Sequence, residues 1–168
     1  MRKRGKLPAT DPRVGIDFGM TIADCQTGNR DPFEGAFTII KNIIGRFGAA
    51  NCFIVSKAKA ETSCKILQWL ENADFYAQVG FLRENVFFVR DYCDKRILVD
   101  RLRLNFFIDD SIKVVKHIVD APTIHRVVWF QGRHEGMKFI PKQQRFKVTI
   151  SKSWNKLYKV FSSERLLD

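Results

Sequence analysis

The chain has 168 residues, 45% of them hydrophobic, so it is long enough to bury one core and too short for two domains of ordinary size. No run of roughly eighteen apolar residues occurs, and no apolar stretch follows the charged start MRKRGKLPATDPR. These features argue against a membrane span and a secretory signal. We therefore expect a soluble intracellular protein, cytoplasmic in the first instance, with a nuclear or mitochondrial location as the alternatives.

The net charge of +11 is concentrated at the two ends of the chain. Residues 1–13 carry a net charge of +4 and residues 133–168 a net charge of +6, so the segment between them is nearly neutral. Basic ends of this kind are expected where a protein contacts RNA or another anionic partner. A solubility tail and a solvated helix face are the simpler interpretation, and the sequence leaves both open.

The four cysteines, Cys25, Cys52, Cys64 and Cys93, are far apart and include no C-x-x-C pair. This spacing argues against a zinc knuckle and against a redox motif. We expect reduced thiols that mostly fill the core.

From Arg13 onward, short apolar runs rich in β-branched and aromatic residues alternate with longer helical patterns. The first predicted strand is 14–18, and the first helix, 33–47, follows a polar loop at 24–32 and has Phe37, Ile40, Ile44 and Phe47 on one face. A strand at 51–56 and a helix at 61–73 come next, and Ile66, Leu67 and Leu70 of that helix are predicted to face inward.

The second half of the chain continues the alternation, with strands at 85–89, 105–110 and 126–130 and helices at 94–104 and 111–119. Glycines and a proline indicate a loop or a short hairpin at 131–145. Residues 146–163 predict a short strand and a helix, capped by Ser151 or Ser153 and facing the sheet with Trp154, Leu157 and Val160. The expected fold is a three-layer α/β sandwich with a Rossmann-like parallel sheet of about five strands.

The predicted organisation is therefore a basic N-terminal arm at 1–12, a single α/β domain at 13–163 and a short tail at 164–168. Residues 131–168 form the basic C-terminal part of the chain.

Polar side chains follow several of the predicted strands. Asp17 is near the end of the first strand with Thr21 just beyond it, and Ser56 ends the second. Arg90 and Asp91 follow the third strand, and Asp109 and Asp110 end the fourth. Because ligands of open α/β sheets bind outside the carboxyl ends of the strands, these side chains should converge in one crevice.

The segments VGIDFGMTI, FIVSK, DKRILVDRL and FFIDDS follow in order the four motifs of the haloacid dehalogenase-like (HAD-like) superfamily. The resemblance covers roughly residues 13–130. Within that superfamily the chain is similar to small, capless members, since neither Thr21–Phe33 nor Ser56–Lys95 has spare length for a cap domain.

The resemblance implies a role for each of these residues. Asp17 would be the nucleophile that forms an aspartyl-phosphate, and Lys95 would neutralise the nucleophile and the transferring group. Thr21 and Ser56 would donate hydrogen bonds to the phosphoryl oxygens, and Lys57 is the alternative for the cationic role. The implied cofactor is Mg²⁺, and its implied ligands are Asp17, Gly19, Asp109 and Asp110.

Gly19 is the departure from the pattern. Two residues after the nucleophile, phosphatases of the superfamily carry a second aspartate that protonates the leaving group and activates water. The glycine carbonyl can still bind magnesium, but it cannot carry a proton, which typically costs about 10²–10⁴-fold in rate. The sequence therefore predicts a phosphatase or phosphotransferase with impaired or absent turnover. The competing hypothesis is a pseudoenzyme: a non-catalytic scaffold subunit of a larger assembly, such as a ribonucleoprotein, bound to RNA or protein through its basic ends.

Overall fold

The computed structural model describes residues 12–26 and 29–163, and for 159–163 it describes the backbone alone. Nearly all of the predicted arm at 1–12 and the whole tail at 164–168 thus lie outside the described residues. Within the described part of the chain, no helix is both long enough and apolar enough to cross a bilayer.

Six parallel strands form one sheet in the order β3-β2-β1-β4-β5-β6. The strands are β1 (Val14–Ile16), β2 (Cys52–Lys57), β3 (Val86–Val89), β4 (Phe106–Asp109), β5 (Arg126–Phe130) and β6 (Val148–Ser151). The helices are α1 (Ala36–Phe47), α2 (Ala60–Asn72), α3 (Phe75–Val79), α4 (Asp94–Arg101), α5 (Ile112–Ile118) and α6 (Trp154–Ser163).

Helices cover both faces of the sheet, which explains why its central strands are apolar along their whole length. One hydrophobic cluster joins the sheet to α1, α2, α3 and α6, and a second joins the opposite face to α4 and α5. The predicted three-layer, Rossmann-like α/β architecture is confirmed.

The sheet has six strands where about five were expected, because the short predicted strand at its edge pairs with β5 over Val127–Phe130. The helix α3 was not predicted. The inward position of Leu67 is wrong: its exposed fraction is 40%, whereas Ile66 and Leu70 are buried. These two residues are one turn apart, so the stripe of α2 that faces the sheet leaves Leu67 to one side.

The end of the chain differs from the expectation in detail. Residues 134–139 and 142–147 form short 3-10 helices and no hairpin. Ser153 caps α6, since its hydroxyl accepts the Lys156 N–H at 3.3 Å, whereas the Ser151 hydroxyl donates to the Ser153 carbonyl at 2.9 Å. Trp154 and Leu157 are fully buried, as predicted. The side chain of Val160 lies outside the described part of the chain.

The expectation that the cysteines mostly fill the core is wrong. Cys52 alone is buried, and burial raises the pKa of its thiol to about 12. Cys25, Cys64 and Cys93 are exposed, because each lies on a loop or on the outer face of a helix.

Candidate active site

The order of the strands places β1 beside β4 at the centre of the sheet. The chain runs outward from β1 to β2 and β3 on one side, and from β4 to β5 and β6 on the other. This reversal is the topological switch point at which open α/β sheets form a ligand crevice. Ile16 pairs with Ile108, and the Asp17 N–H donates to the Ile108 carbonyl at 2.9 Å, so Asp17 lies beside Asp109.

Lys95 joins these two aspartates. Its Nζ lies 2.7 Å from Asp17 Oδ1 and 2.7 Å from Asp109 Oδ2, and all three side chains are at least nine-tenths buried. Burial opposes the charge of the ammonium group, but the two carboxylates outweigh it and the pKa of Lys95 is raised. The lysine belongs to the first turn of α4, which follows β3, so it lies at the carboxyl ends of the strands.

A third carboxylate completes an acidic cluster. Oxygens of Asp17, Asp109 and Asp110 all lie within 4.8 Å of one another. Burial, together with the nearby Asp17 charge, raises the pKa of Asp109 above its ordinary range and that of Asp110 to about 6. Three crowded carboxylates with one lysine are chemically suited to a hard divalent cation such as Mg²⁺.

The backbone around the acidic pair is held in place. Asp109 Oδ1 accepts the Ser111 N–H at 2.8 Å, just before α5 begins, and Asp109 Oδ2 accepts a hydrogen bond from Lys95. The Trp129 indole donates to the Asp110 carbonyl at 2.8 Å. These two hydrogen bonds fix the turn between β4 and α5 that carries the acidic pair.

The three carboxylates open into a cleft of about 440 Å³. Ser56, at the end of β2, is buried in its wall, and Gly19 forms part of the rim. The remaining residues that line the cleft are Met20, Lys57, Tyr92, Ser111, Ile112 and Lys113, together with Lys95.

Thr21 is the predicted site residue that the structure does not bring into the cleft lining. Its side chain is fully buried, and its hydroxyl has no hydrogen-bond partner among the described residues. Its carbonyl accepts the Trp154 indole N–H at 2.8 Å, which ties the loop after β1 to α6. The contact between Thr21 and a phosphoryl oxygen stays a prediction.

Gly19 adopts a backbone that a side chain can accept. A Cβ placed there would meet the Cys25 Sγ at 3.5 Å, an ordinary contact, and no closer heavy atom. The loop is closed by hydrogen bonds from Met20 N to Ala23 O and from Ala23 N to Phe18 O, neither of which uses the Gly19 carbonyl. The role of that carbonyl as a metal ligand stays a prediction.

Tyr92 and Lys113 are cleft residues that the sequence analysis missed. Tyr92 precedes α4 and Lys113 belongs to the first turn of α5, outside every motif, so nothing in the spacing pointed to them. Lys57, the alternative cation, lies with its Nζ 4.1 Å from the centre of the Tyr92 ring. The structure thus places Lys95, and not Lys57, between the carboxylates.

The sequence matches no family model, and no curated protein matches it. Among solved structures, it resembles a D,D-heptose bisphosphate phosphatase from B. bronchiseptica complexed with magnesium and phosphate, at 12% identity and a TM-score of 0.60 over 91% of this chain and 99% of that one. It also resembles a haloacid dehalogenase-like hydrolase from Burkholderia xenovorans, at 11% identity and a TM-score of 0.53 over 80% of this chain and 60% of that one.

A third similar structure is a de novo designed Rossmann 3x3 fold protein, at 12% identity and a TM-score of 0.52 over 90% of this chain and 93% of that one. The fold of the chain is therefore one that HAD-like hydrolases share with a designed protein. Function has to be argued from the site itself.

Proposed function

We propose that the chain is a capless, magnesium-dependent phosphoryl-transfer domain of the HAD-like superfamily whose turnover is impaired by Gly19. The observation that carries the proposal is the position of Lys95 Nζ, 2.7 Å from carboxylates at the ends of two neighbouring strands. Burying three charges destabilises a fold, so a buried Lys–Asp–Asp cluster at the switch point of a parallel sheet favours a functional role for these residues. Phosphoryl transfer is a reaction that uses such a cluster.

In this proposal Asp17 attacks the phosphorus atom of the substrate and becomes an aspartyl-phosphate. Lys95 holds the Asp17 carboxylate in place and neutralises the charge on the transferring group. The Ser56 hydroxyl, which lies in the wall of the cleft, donates to a phosphoryl oxygen. The chemistry that bound Mg²⁺ supplies is neutralisation of the phosphate charge, and its ligands would be Asp17, Gly19, Asp109 and Asp110.

Position 19 decides whether the reaction turns over. Without a carboxyl group there, nothing at that position protonates a leaving group or takes a proton from water. Because a Cβ at Gly19 meets only the Cys25 Sγ, at 3.5 Å, an aspartate can be introduced without disturbing the loop. Gly19→Asp should therefore add the missing acid/base and raise the rate by about 10²–10⁴-fold.

The test is hydrolysis of a generic aryl phosphate with Mg²⁺ by the wild type, Asp17→Asn, Gly19→Asp and Gly19→Ala. We expect a low rate in the wild type, none in Asp17→Asn and a gain in Gly19→Asp alone, since Gly19→Ala adds the Cβ without the carboxyl group. The proposal fails if Asp17→Asn retains the wild-type rate, or if Gly19→Asp is folded, binds Mg²⁺ and remains inactive.

The second candidate function, a non-catalytic scaffold subunit that binds RNA or protein, is favoured by the basic C-terminal part. Phe139 and Phe146 are 56% and 62% exposed among lysines and arginines, and Lys138 Nζ lies 5.1 Å from the centre of the Phe139 ring. Exposed aromatic rings with cations bind single-stranded nucleic acid by stacking and charge attraction. Salt-dependent binding of single-stranded RNA that Phe139→Ala and Phe146→Ala each weaken would support this candidate, and unchanged binding would remove it.

A further inference from the structure

Two lysines share one tyrosine ring at the mouth of the cleft. The Nζ atoms of Lys57 and Lys113 lie 4.1 and 5.7 Å from the centre of the Tyr92 ring. Neither lysine forms an ion pair with any carboxylate in the described part of the chain. Two ammonium groups in one cleft, neither paired with a carboxylate, can attract a further anion to the cleft mouth.

Both lysines belong to the candidate active site. Lys57 follows Ser56 at the end of β2, and Lys113 lies in the first turn of α5, three residues after Asp110. Both lysines therefore line the same cleft as the carboxylates. A second pocket, of about 270 Å³, continues from the cleft and shares Tyr92 and Lys113 with it. A substrate with a second anionic group can therefore extend from the carboxylates over the tyrosine.

Independently of the lysines, Gly19 restricts the leaving groups with which the site can react. A site without a general acid cannot protonate an alkoxide, so it reacts slowly with phosphate esters of ordinary alcohols. A phosphate group is a far weaker base than an alkoxide, and it departs as an anion without receiving a proton. Such a leaving group needs cations to receive its charge, and Lys57 and Lys113 are the cations in place.

We propose that the substrate of this site is a phosphoanhydride, with its terminal phosphoryl group at Asp17 and its next phosphate between Lys57 and Lys113. This inference rests on the proposed function. An oxygen of Asp17 forms a bond to the terminal phosphorus, and the bond from that phosphorus to the bridging oxygen breaks. The electron pair stays on the bridging oxygen, and the shortened phosphate leaves as an anion held by the two lysines.

The second half of the reaction should be the slow one. Water must attack the aspartyl-phosphate, breaking the phosphorus–oxygen bond to Asp17 and releasing inorganic phosphate and a proton. Because Gly19 offers no base for that proton, the covalent intermediate should accumulate after a single rapid turnover.

The experiment measures formation of hydroxylamine-sensitive aspartyl-phosphate on the full chain, by intact-protein mass, with Mg²⁺ present. The phosphoryl donors are inorganic pyrophosphate, ADP, acetyl phosphate and glycerol phosphate. Acetyl phosphate has a good leaving group without a second phosphate, and glycerol phosphate has a poor one. Comparing the labelling by pyrophosphate with the labelling by ADP shows whether the site prefers an inorganic or a nucleotide anhydride.

We expect labelling by at least one of the two anhydrides and little labelling by glycerol phosphate. Loss of the charge-assisted contacts in Lys57→Ala/Lys113→Ala should slow anhydride labelling about 10–100-fold more than acetyl phosphate labelling. The matched control is Lys41→Ala/Lys156→Ala, which removes two exposed lysines from α1 and α6. Gly19→Asp should reduce the preference for anhydrides over glycerol phosphate.

Two outcomes separate this inference from the proposed function. Equal labelling by anhydrides and glycerol phosphate, or equal losses for acetyl phosphate and the anhydrides in the lysine variant, would overturn the phosphoanhydride assignment while Asp17 still reacts. No labelling by any donor, in the wild type or in Gly19→Asp, would overturn the phosphoryl-transfer function and this inference with it.

Discussion

Replacing Lys95 with methionine keeps the length of the side chain and removes the cation between Asp17 and Asp109. Both contacts are 2.7 Å long, and the lysine side chain is 2% exposed, so water does not replace the lost charge. Removing one partner from a buried ion pair typically costs about 3–5 kcal/mol. For a chain of this length that loss corresponds to a fall in Tm of about 6–20 °C.

The loss of stability in Lys95→Met should depend on pH, because it leaves buried carboxyl groups that can take up protons. Burial already raises the pKa of Asp109, and in Lys95→Met this carboxyl can take up a proton from solution. A proton that binds only to the folded state increases the free energy of unfolding by about 1.4 kcal/mol for each unit by which the pH falls. The destabilisation should therefore be largest near neutral pH and shrink toward about pH 5.

The assay is urea denaturation followed by circular dichroism, at about pH 7.5 and pH 5, with Lys57→Met as the matched control. Lys57 is exposed and contacts the face of Tyr92, so its loss should cost no more than about 1 kcal/mol. Equal stability of Lys95→Met and Lys57→Met at neutral pH would refute the buried, charge-bridging role that the structure assigns to Lys95.

Three further predictions concern the site and its supports. Burial raises the pKa of Asp110 from 3.8 to about 6. The protonated carboxyl therefore favours the folded state at low pH, and this contribution to stability is lost as the pH rises through 6. Because Mg²⁺ binds the ionised carboxylate, it should raise the Tm more at about pH 7.5 than at about pH 5. Trp154→Phe should cost about 1–3 kcal/mol in thermal or urea unfolding, because it leaves the buried Thr21 carbonyl without its donor. In a thiol-labelling assay, the three exposed cysteines should react in the folded protein, whereas Cys52 should react only after the protein is unfolded.

Much of the fold follows from local pattern. The β-branched and aromatic runs such as CFIVS and FFID mark buried parallel strands, and the helical spacing of Ile40, Ile44 and Phe47 marks a face that packs on them. Errors arose where tertiary contacts decide. Leu67 has the same apolar character as Ile66, and only the direction of α2 across the sheet exposes one and buries the other.

The candidate site was found in part from sequence, because polar residues at strand ends converge in any parallel sheet. Asp17, Ser56, Asp109 and Asp110 each carry that signal. Tyr92 and Lys113 carry none, since a tyrosine in a turn and a lysine on a helix are ordinary surface residues until the fold brings them together.

The sequence by itself determined the alternation of strands and helices, the acidic strand ends and the glycine at position 19, since each is a property of neighbouring residues. The tertiary structure alone decided that β1 lies beside β4, that Lys95 enters the gap between their carboxylates, and that the Thr21 carbonyl meets the Trp154 indole. The physical reason is that these contacts join residues up to 133 positions apart, and strand order and helix direction across the whole sheet set their distances.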